Sequence, residues 1–266
     1  MILDEARLHY QQRKDAIIPL SPHWQGKQEA MRRMMDTFKS PLDAIHYAQA
    51  TDSGFDHRQK FNTGLVEKKL ADIITRFPRF TIDIGESLLS HPDSLGSMNG
   101  KQVSNILFWH LNAYLACTTF IPRPASVLEI GGGYGGLARL FALNGIDYTI
   151  MDMPESLFFS EVYLKANGID NVKQLTADAE IGEYDLVISQ GTFQEMPQEW
   201  VNTLAEKLKG KVKYVYSLNY LRGGPFGTGA VFPKAGWKII REEINPPMIL
   251  GDIVGMWMEG IYGIYS

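Results

Sequence analysis

The stretch that decides the fold runs from Ser126 to Leu137 and reads Ser-Val-Leu-Glu-Ile-Gly-Gly-Gly-Tyr-Gly-Gly-Leu. An apolar strand passes directly into a turn in which five of six positions are glycine. Glycine is needed where the backbone takes a positive φ or lies close to a ligand, and such a turn between strand and helix is typical of nucleotide-cofactor sites. The stretch therefore predicts an α/β domain with a cofactor loop after its first strand.

Two cofactor-binding motifs match this sequence, and the first is the dinucleotide-binding motif. Gly131, Gly133 and Gly136 meet the pattern Gly-x-Gly-x-x-Gly. Asp152 follows the turn by about 20 residues, where a ribose-binding carboxylate is expected. An NAD-dependent oxidoreductase is thus one interpretation. An ordinary glycine-rich connection is another, because a single match to so short a motif is weak.

The second motif has its acidic residue before the turn. Glu129, Gly131, Gly133 and Gly135 meet the pattern acidic-x-Gly-x-Gly-x-Gly. This pattern resembles motif I of the class I methyltransferases, which use S-adenosylmethionine (SAM). SAM has no phosphate to place at a helix N-terminus, but its amino-acid tail carries an ammonium group that a nearby carboxylate stabilises. The position of Glu129 therefore favours SAM over a dinucleotide.

A carboxylate also ends the second strand of the predicted sheet. This strand spans residues 147–152, and Pro154 then opens a helix that runs to about Ala166 and is closed by Asn167 and Gly168. We expect the Asp152 carboxylate to bind both ribose hydroxyls of the cofactor and Met153 to line the same site. The alternative interpretation of Asp152 is a helix-entry residue that interacts favourably with the helix dipole.

The third and fourth strands supply the remaining candidate cofactor residues. The third, residues 171–176, is followed by Asp178 and Ala179, which we expect to face the adenine, although aspartate is also a routine loop residue. The fourth, residues 184–190, is apolar at successive positions, as a parallel strand buried on both faces should be. Gln190 stands at its carboxyl end, where we expect the cofactor crevice.

Three further strands complete the predicted sheet, at residues 211–219, 237–244 and 256–265. This ending resembles the antiparallel hairpin that closes a methyltransferase sheet. A two-domain dehydrogenase would need a second βαβαβ half here, and about 50 residues leave no room for one. The predicted fold class is therefore α/β, a Rossmann-like class I methyltransferase sheet of seven strands, the last antiparallel, with a helical N-terminal region.

Length and composition agree with a single enzyme. The chain has 266 residues, 45% of them hydrophobic, and we divide it into a helical substrate or lid region at 1–120 and a SAM-binding domain at 121–266. A net charge of −4 without a basic run argues against a nucleic-acid partner. The sequence shows no signal peptide, no membrane span and a single cysteine, so we expect a cytoplasmic location. The oligomeric state stays open.

The first 120 residues have a helical pattern. Apolar residues recur at helical spacing in five segments, residues 3–17, 25–38, 41–50, 64–77 and 102–120. Residues 51–63 concentrate charge, glycine and aromatic side chains, and we interpret them either as a lid over the substrate or as a solvated connector.

Three segments together resemble one family. They are Val-Leu-Glu-Ile-Gly-Gly-Gly-Tyr-Gly-Gly-Leu-Ala at 127–138, Tyr-Thr-Ile-Met-Asp-Met-Pro-Glu-Ser at 148–156 and Ile-Ser-Gln-Gly-Thr-Phe-Gln-Glu-Met-Pro at 188–197. They look like the bacterial sugar O-methyltransferase family. The resemblance implies a SAM-dependent enzyme that methylates a sugar hydroxyl in surface-glycan or natural-product biosynthesis. It does not identify the sugar or the hydroxyl. A non-catalytic scaffold protein with the SAM-binding fold is a further alternative, against which the intact Glu129 and Asp152 argue.

Methyl transfer displaces a neutral thioether, so the enzyme must supply alignment and a group that takes the hydroxyl proton. Glu195 follows the fourth strand and is the first candidate for this base or for a sugar ligand, with a helix-entry carboxylate as the alternative. His110 and His57 are further candidates, although a core histidine and a solvated side chain are their plainer interpretations. We expect Asn219 and Tyr220, at the end of the fifth strand, to bind sugar hydroxyls.

The sequence offers little sign of a metal or of a phosphate site. No compact spacing of carboxylates and histidines is present, and we expect no metal. Basic tracts at residues 57–60 and 76–80 suit the diphosphate of a nucleotide-linked sugar, but basic residues beside aromatics are commonly just surface.

Overall fold

The computed structural model describes residues 1–17, 22–51, 61–79, 84–91, 94–220, 236–244 and 260–265. The N-terminal elements are α1 (Ile2–Arg13), α2 (Pro22–Met35), α3 (Pro41–Thr51), α4 (Thr63–Arg76), the hairpin β1 (Gly96–Met98) and β2 (Lys101–Val103), and α5 (Asn105–Phe120). The remaining elements are β3 (Ser126–Ile130), α6 (Gly136–Leu143), β4 (Asp147–Asp152), α7 (Pro154–Ala166), β5 (Lys173–Thr176), β6 (Tyr184–Gln190), a 3-10 turn (Phe193–Glu195), α8 (Gln198–Leu208), β7 (Val212–Tyr220), β8 (Ile239–Ile244) and β9 (Gly260–Tyr265).

The main sheet has the strand order β5-β4-β3-β6-β7-β9-β8. Neighbours from β5 to β7 pair in parallel, and β9 pairs antiparallel with both β7 and β8. The strand order reverses at β3, because the chain continues to β4 on one side of it and later to β6 on the other. Ligands of open parallel sheets bind outside the carboxyl ends of the strands at such a switch point. The topology thus positions the loop after β3 for binding.

Both faces of the central strands are buried, which explains their continuous apolar sequence. Val127 and Leu128 are both fully buried, yet they belong to two different apolar clusters on opposite faces of the sheet. One cluster contains α5, α6, α7 and residues of α1 to α4; the other contains α8 and Trp237. The sheet is therefore the middle layer of three.

Helix α5 is buried on nearly every side and lies alongside α6. Its N-cap is Ser104, whose hydroxyl accepts a hydrogen bond from the Leu107 N–H at 3.1 Å. Tyr114 meets Phe141 of α6 edge-to-face, with 5.0 Å between ring centroids. The sequence predicted a start at residue 102, which is three positions early, because residues 101–103 pair with β1 instead.

Helix α1 packs on α7 through charged groups. His9 Nδ1 lies 2.7 Å from Glu161 Oε1, and Lys165 Nζ lies 2.6 Å from Glu5 Oε1 and 2.9 Å from Glu161 Oε1. Among the described residues, the N-terminal helices and the sheet also contribute side chains to one apolar core. The boundary at residue 120 stays a prediction.

The α/β class and the five-strand parallel sheet are confirmed. The bounds predicted for β4, α7 and β6 agree with those observed. Among the described residues, no helix combines the length and the apolar character that crossing a membrane requires.

Candidate functional site

The glycine loop connects β3 to α6 at the carboxyl edge of the sheet. Gly131, Gly133 and Gly135 have φ values of 81°, 53° and 89°, which side chains other than glycine rarely adopt. A Cβ on Gly131 would also collide with the side chain of Thr192, which follows β6. Each glycine of the Gly-x-Gly-x-Gly motif therefore occupies a left-handed backbone position.

Tyr134 anchors this loop from inside the protein. Its side chain is buried, and its ring meets that of Tyr163 edge-to-face with 5.0 Å between centroids. The His110 ring lies 5.9 Å from the Tyr134 ring, and it packs so closely on Gly136 that a Cβ there would overlap it. The first turn of α6 is therefore buried under α5, which disfavours a pyrophosphate at this helix N-terminus.

Asp152, the last residue of β4, is bonded to the loop. Its Oδ2 accepts a hydrogen bond from the Gly133 N–H at 3.0 Å, and its Oδ1 accepts one from the Met153 N–H at 2.7 Å. Met153 is the N-cap of α7 and is buried. Since each carboxylate oxygen has two lone pairs, Asp152 can hold the loop and still accept ribose hydroxyls.

Glu129 lies behind the loop, in the sheet. It is 3% exposed, and its Oε2 accepts a hydrogen bond from the Tyr148 hydroxyl at 3.0 Å. A Cβ added to Gly132 would stand 3.1 Å from the same Oε2, so this carboxyl lies directly against the loop. Burial raises the pKa of Glu129 to about 8; the nearby Asp152 adds to the rise, and the Tyr148 hydrogen bond opposes it.

Three further predicted residues lie at the carboxyl ends of β5 and β6. The exposed Asp178 accepts a hydrogen bond from the Ile17 N–H at 3.2 Å, and hydrogen bonding, chiefly with Thr176, lowers its pKa. Ala179 closes the same turn through an N–H bond to the Thr176 carbonyl at 2.9 Å. Gln190 Nε2 is buried and has no hydrogen-bond partner among the residues that the structure describes. A ligand at this edge could satisfy that donor.

Glu195 lies in the 3-10 turn after β6 and is half-buried. Its Oε2 accepts a hydrogen bond from the indole N–H of Trp24 in α2. Helix α8 begins only at Gln198 and has Pro197 as its N-cap, without a side-chain cap bond. The carboxylate therefore contacts the N-terminal region.

The remaining candidates for the acceptor side are two histidines and the last two residues of β7. His110 is half-buried on α5 beside the glycine loop. His57 lies outside the described residues. Asn219 and Tyr220 are the last residues of strand β7, which pairs with β6, and the structure describes only their backbone. By position, the loop, Asp152, Asp178 and Glu195 follow four adjacent strands at one edge.

One group of possible metal ligands occurs among the described residues, and it lies elsewhere. Ligand atoms of Glu5, His9 and Glu161 are within 4.8 Å of one another between α1 and α7. The Lys165 ammonium forms ion pairs with both carboxylates. The positive charge that a metal would bring is thus already supplied by a side chain.

Sequence reasoning missed three residues that shape this site. Thr192 and Tyr134 stand inside the quoted motifs, but only their glycine and acidic neighbours were selected. Trp24 is separated from Glu195 by 171 positions, and no local pattern around it indicates the contact. A pairing of this kind is a property of the tertiary fold.

No family model and no curated protein matches the chain. Solved structures are similar at low identity. TehB from Haemophilus influenzae shares 14% identity over 62% of this chain and 68% of its own, with a TM-score of 0.48. The glycopeptide N-methyltransferase MtfA shares 11% over 59% and 89%, with a TM-score of 0.45. A TehB-like SAM-dependent methyltransferase from Corynebacterium glutamicum shares 14% over 61% and 97%, with a TM-score of 0.43. Similarity at this level leaves the chemistry to be argued from the site itself.

Proposed function

We propose that this protein is a SAM-dependent methyltransferase whose acceptor is a hydroxyl of a sugar or glycoside. The observation that carries the proposal is the joint geometry of the glycine loop and β4. Three left-handed glycines shape a loop whose single side chain, that of Tyr134, is buried, and the Asp152 carboxylate stands beside the loop, bonded to the Gly133 N–H at 3.0 Å. The loop suits the methionine tail of SAM and the carboxylate suits the ribose hydroxyls.

The alternative of an NAD-dependent oxidoreductase is less well supported. A dinucleotide places its pyrophosphate on the first turn of the helix after the loop. Here that turn is buried, with the His110 ring against Gly136. The acidic Glu129 directly behind the loop would also repel a pyrophosphate when it is ionised, whereas it would attract the ammonium of SAM.

The cofactor residues that we propose follow from position at the carboxyl edge. The methionine tail lies against the loop and Glu129, the ribose against Asp152 and Met153, and the adenine against the turn after β5. The full proposed set is Glu129, Gly131, Gly133, Gly135, Asp152, Met153, Asp178, Ala179 and Gln190.

Chemistry on the acceptor side requires one proton transfer. The acceptor oxygen forms a bond to the methyl carbon, the bond from that carbon to sulfur breaks, and the thioether product S-adenosylhomocysteine leaves. The hydroxyl proton passes to Glu195, which is the proposed base because it follows β6 at the crevice. His110 beside the loop and His57 are the alternative bases, and Asn219 and Tyr220 are proposed to bind the acceptor.

The choice of a sugar acceptor rests on the resemblance of residues 127–138, 148–156 and 188–197 to the sugar O-methyltransferase family. A free glycan, a glycoside and a nucleotide-linked sugar all present such a hydroxyl. The test must therefore include each of them.

The experiment has two steps. Melting temperatures are measured with SAM and with NAD at equal concentrations, because a ligand that binds only the folded protein must stabilise it, by about 2.7 kcal/mol at 100 times its Kd. SAM should raise the melting temperature and NAD should not; the opposite result would overturn the proposal. Mass spectrometry then follows the gain of one methyl group across free sugars, glycosides and nucleotide-linked sugars, with amine acceptors included. Methylation of amines alone would refute the sugar hydroxyl.

A further inference from the structure

Helix α2 is held at both ends by groups at the carboxyl edge of the sheet. Gln28 Nε2 and Arg32 Nε donate to the Glu155 carboxylate, at 3.0 and 2.6 Å. Glu155 is fully buried in the first turn of α7, directly after β4. At the start of α2, the Trp24 indole N–H donates to Glu195, in the turn after β6.

These contacts define the path of α2. Strands β4 and β6 lie on either side of β3, two strand spacings apart, which is roughly 10 Å. Trp24 and Arg32 are eight positions apart, which is about 12 Å of helix. The two spans agree. Helix α2 therefore links the turn after β6 to the first turn of α7 after β4, and these two strands lie on either side of β3, which leads into the glycine loop.

A separate contact brings the N-terminal region to the same edge. The Ile17 N–H, after α1, donates to Asp178 Oδ2 at 3.2 Å, in the turn after β5. The N-terminal region thus reaches carboxylates on both sides of the glycine loop, those of Asp178 and Glu195.

The orientation of the Trp24 side chain is set within α2. Lys27 Nζ lies 4.4 Å from the centroid of the Trp24 ring, and a cation over an indole face favours that arrangement of the ring. With the helix anchored at Glu155 and the ring held by Lys27, the indole N–H is directed at one carboxylate oxygen of Glu195.

We propose that α2 forms the acceptor-side wall of the methyl-transfer site and that Trp24 is a positioning residue for Glu195. The inference rests on the proposed function. The indole N–H fixes the Oε2 atom, so the carboxylate meets the acceptor hydroxyl in a single orientation. General-base catalysis depends on such geometry, since the base must lie within hydrogen-bond reach of the proton that it takes.

The test is a double-mutant cycle on the full chain. Trp24→Phe removes the N–H and keeps an aromatic ring, and Glu195→Gln removes the base. Trp24→Phe should lower kcat about 10-fold, the effect of one hydrogen bond to a charged group, with the Kd for SAM within about twofold of wild type. In the Glu195→Gln background the same substitution should change kcat by less than about twofold, because no base is left to position.

Trp237→Phe is the matched control. Its indole N–H also makes a hydrogen bond, to the Ala205 carbonyl at 3.2 Å, but in the apolar cluster that contains α8. This variant should keep the wild-type kcat. Melting temperatures are measured for every variant, and an effect of Trp24→Phe through unfolding would persist in the Glu195→Gln background.

The outcomes separate the two proposals. If wild type methylates an acceptor and Trp24→Phe retains full kcat, the positioning role is refuted. It is equally refuted if Trp24→Phe lowers kcat by the same factor in the Glu195→Gln background as in the wild type. If wild type neither binds SAM nor transfers a methyl group to any acceptor, the proposed function itself fails, and this inference fails with it.

Discussion

The raised pKa of Glu129 predicts that SAM binds more tightly as the pH rises from 6 to 7.5. The buried carboxyl has a pKa of about 8 and is therefore mostly protonated at neutral pH in the free protein. To attract the ammonium of SAM across the loop backbone, it must first lose its proton. Binding should consequently release a proton, and the affinity should follow the ionised fraction of this one group.

The size of the effect follows from the titration curve. With a pKa of about 8, the ionised fraction is about 1% at pH 6 and about 24% at pH 7.5, so the affinity should rise about 20-fold over this interval. Ionisation at pH 7 costs about 1.4 kcal/mol of binding free energy. The interval ends at 7.5 because the α-amino group of SAM begins to titrate near pH 7.7 to 8.0.

Isothermal titration calorimetry measures both quantities. The Kd is determined between pH 6 and 7.5, and titrations in buffers of different ionisation enthalpy give the number of protons released. Glu129→Gln should flatten the pH profile and abolish proton release. For the wild type, 5′-methylthioadenosine is the matched ligand, since it lacks the amino-acid tail and should bind without pH dependence.

A SAM affinity that does not change with pH in the wild type would refute the reasoning, as would an unchanged pH dependence in Glu129→Gln.

The raised pKa of Glu129 also predicts how the free energy of unfolding depends on pH. Because the folded state holds this proton more tightly than the unfolded chain, the free energy of unfolding should fall as the pH rises from about 4.5 through 8. Urea unfolding of the ligand-free protein should show this fall in the wild type and a weaker one in Glu129→Gln.

Three further predictions concern single residues of the site. Gly133→Val should abolish SAM binding and leave circular dichroism unchanged, since valine cannot adopt a φ of 53° without strain; wild-type affinity would contradict the loop assignment. Asp152→Ala should weaken SAM by roughly 1.5 to 3 kcal/mol in calorimetry, the range for hydrogen bonds to a charged group, and unchanged affinity would make Asp152 a helix-entry residue. Glu195→Gln should lower kcat at least about 100-fold with SAM affinity kept; a larger loss in His110→Asn would move the base to α5.

The parts of the fold that the sequence predicted well are those with local causes. Strand β6 was placed at its observed bounds because a continuous apolar run predicts a doubly buried strand. Helix α7 was placed correctly because Pro154 opens it and Asn167 and Gly168 end it. The three loop glycines could be identified from the sequence because no other residue adopts a positive φ at so low a cost in free energy.

The parts that could not be predicted depend on distant contacts. The helical spacing of apolar residues predicted a helix at α5, but it did not predict that α4 and α6 pack against it and that it is buried almost all round. Glu129 carries no local sign that its carboxyl would be hydrogen-bonded to Tyr148 and turned inward. Sequence spacing predicts which residues share an edge of the sheet, whereas burial and pairing depend on what packs against that edge.

The attachment of the N-terminal region shows why this difference matters for function. Glu155 looks like an ordinary first-turn acid that favours the helix dipole, yet it is fully buried and accepts hydrogen bonds from Tyr10, Gln28 and Arg32. A buried carboxylate without such partners would be costly, so the interaction requires α1 and α2 together. Since the same helix α2 carries Trp24 to Glu195, the residues that dock the N-terminal region also complete the proposed acceptor side. Helix α2 thereby links the docking of the N-terminal region to the proposed proton transfer.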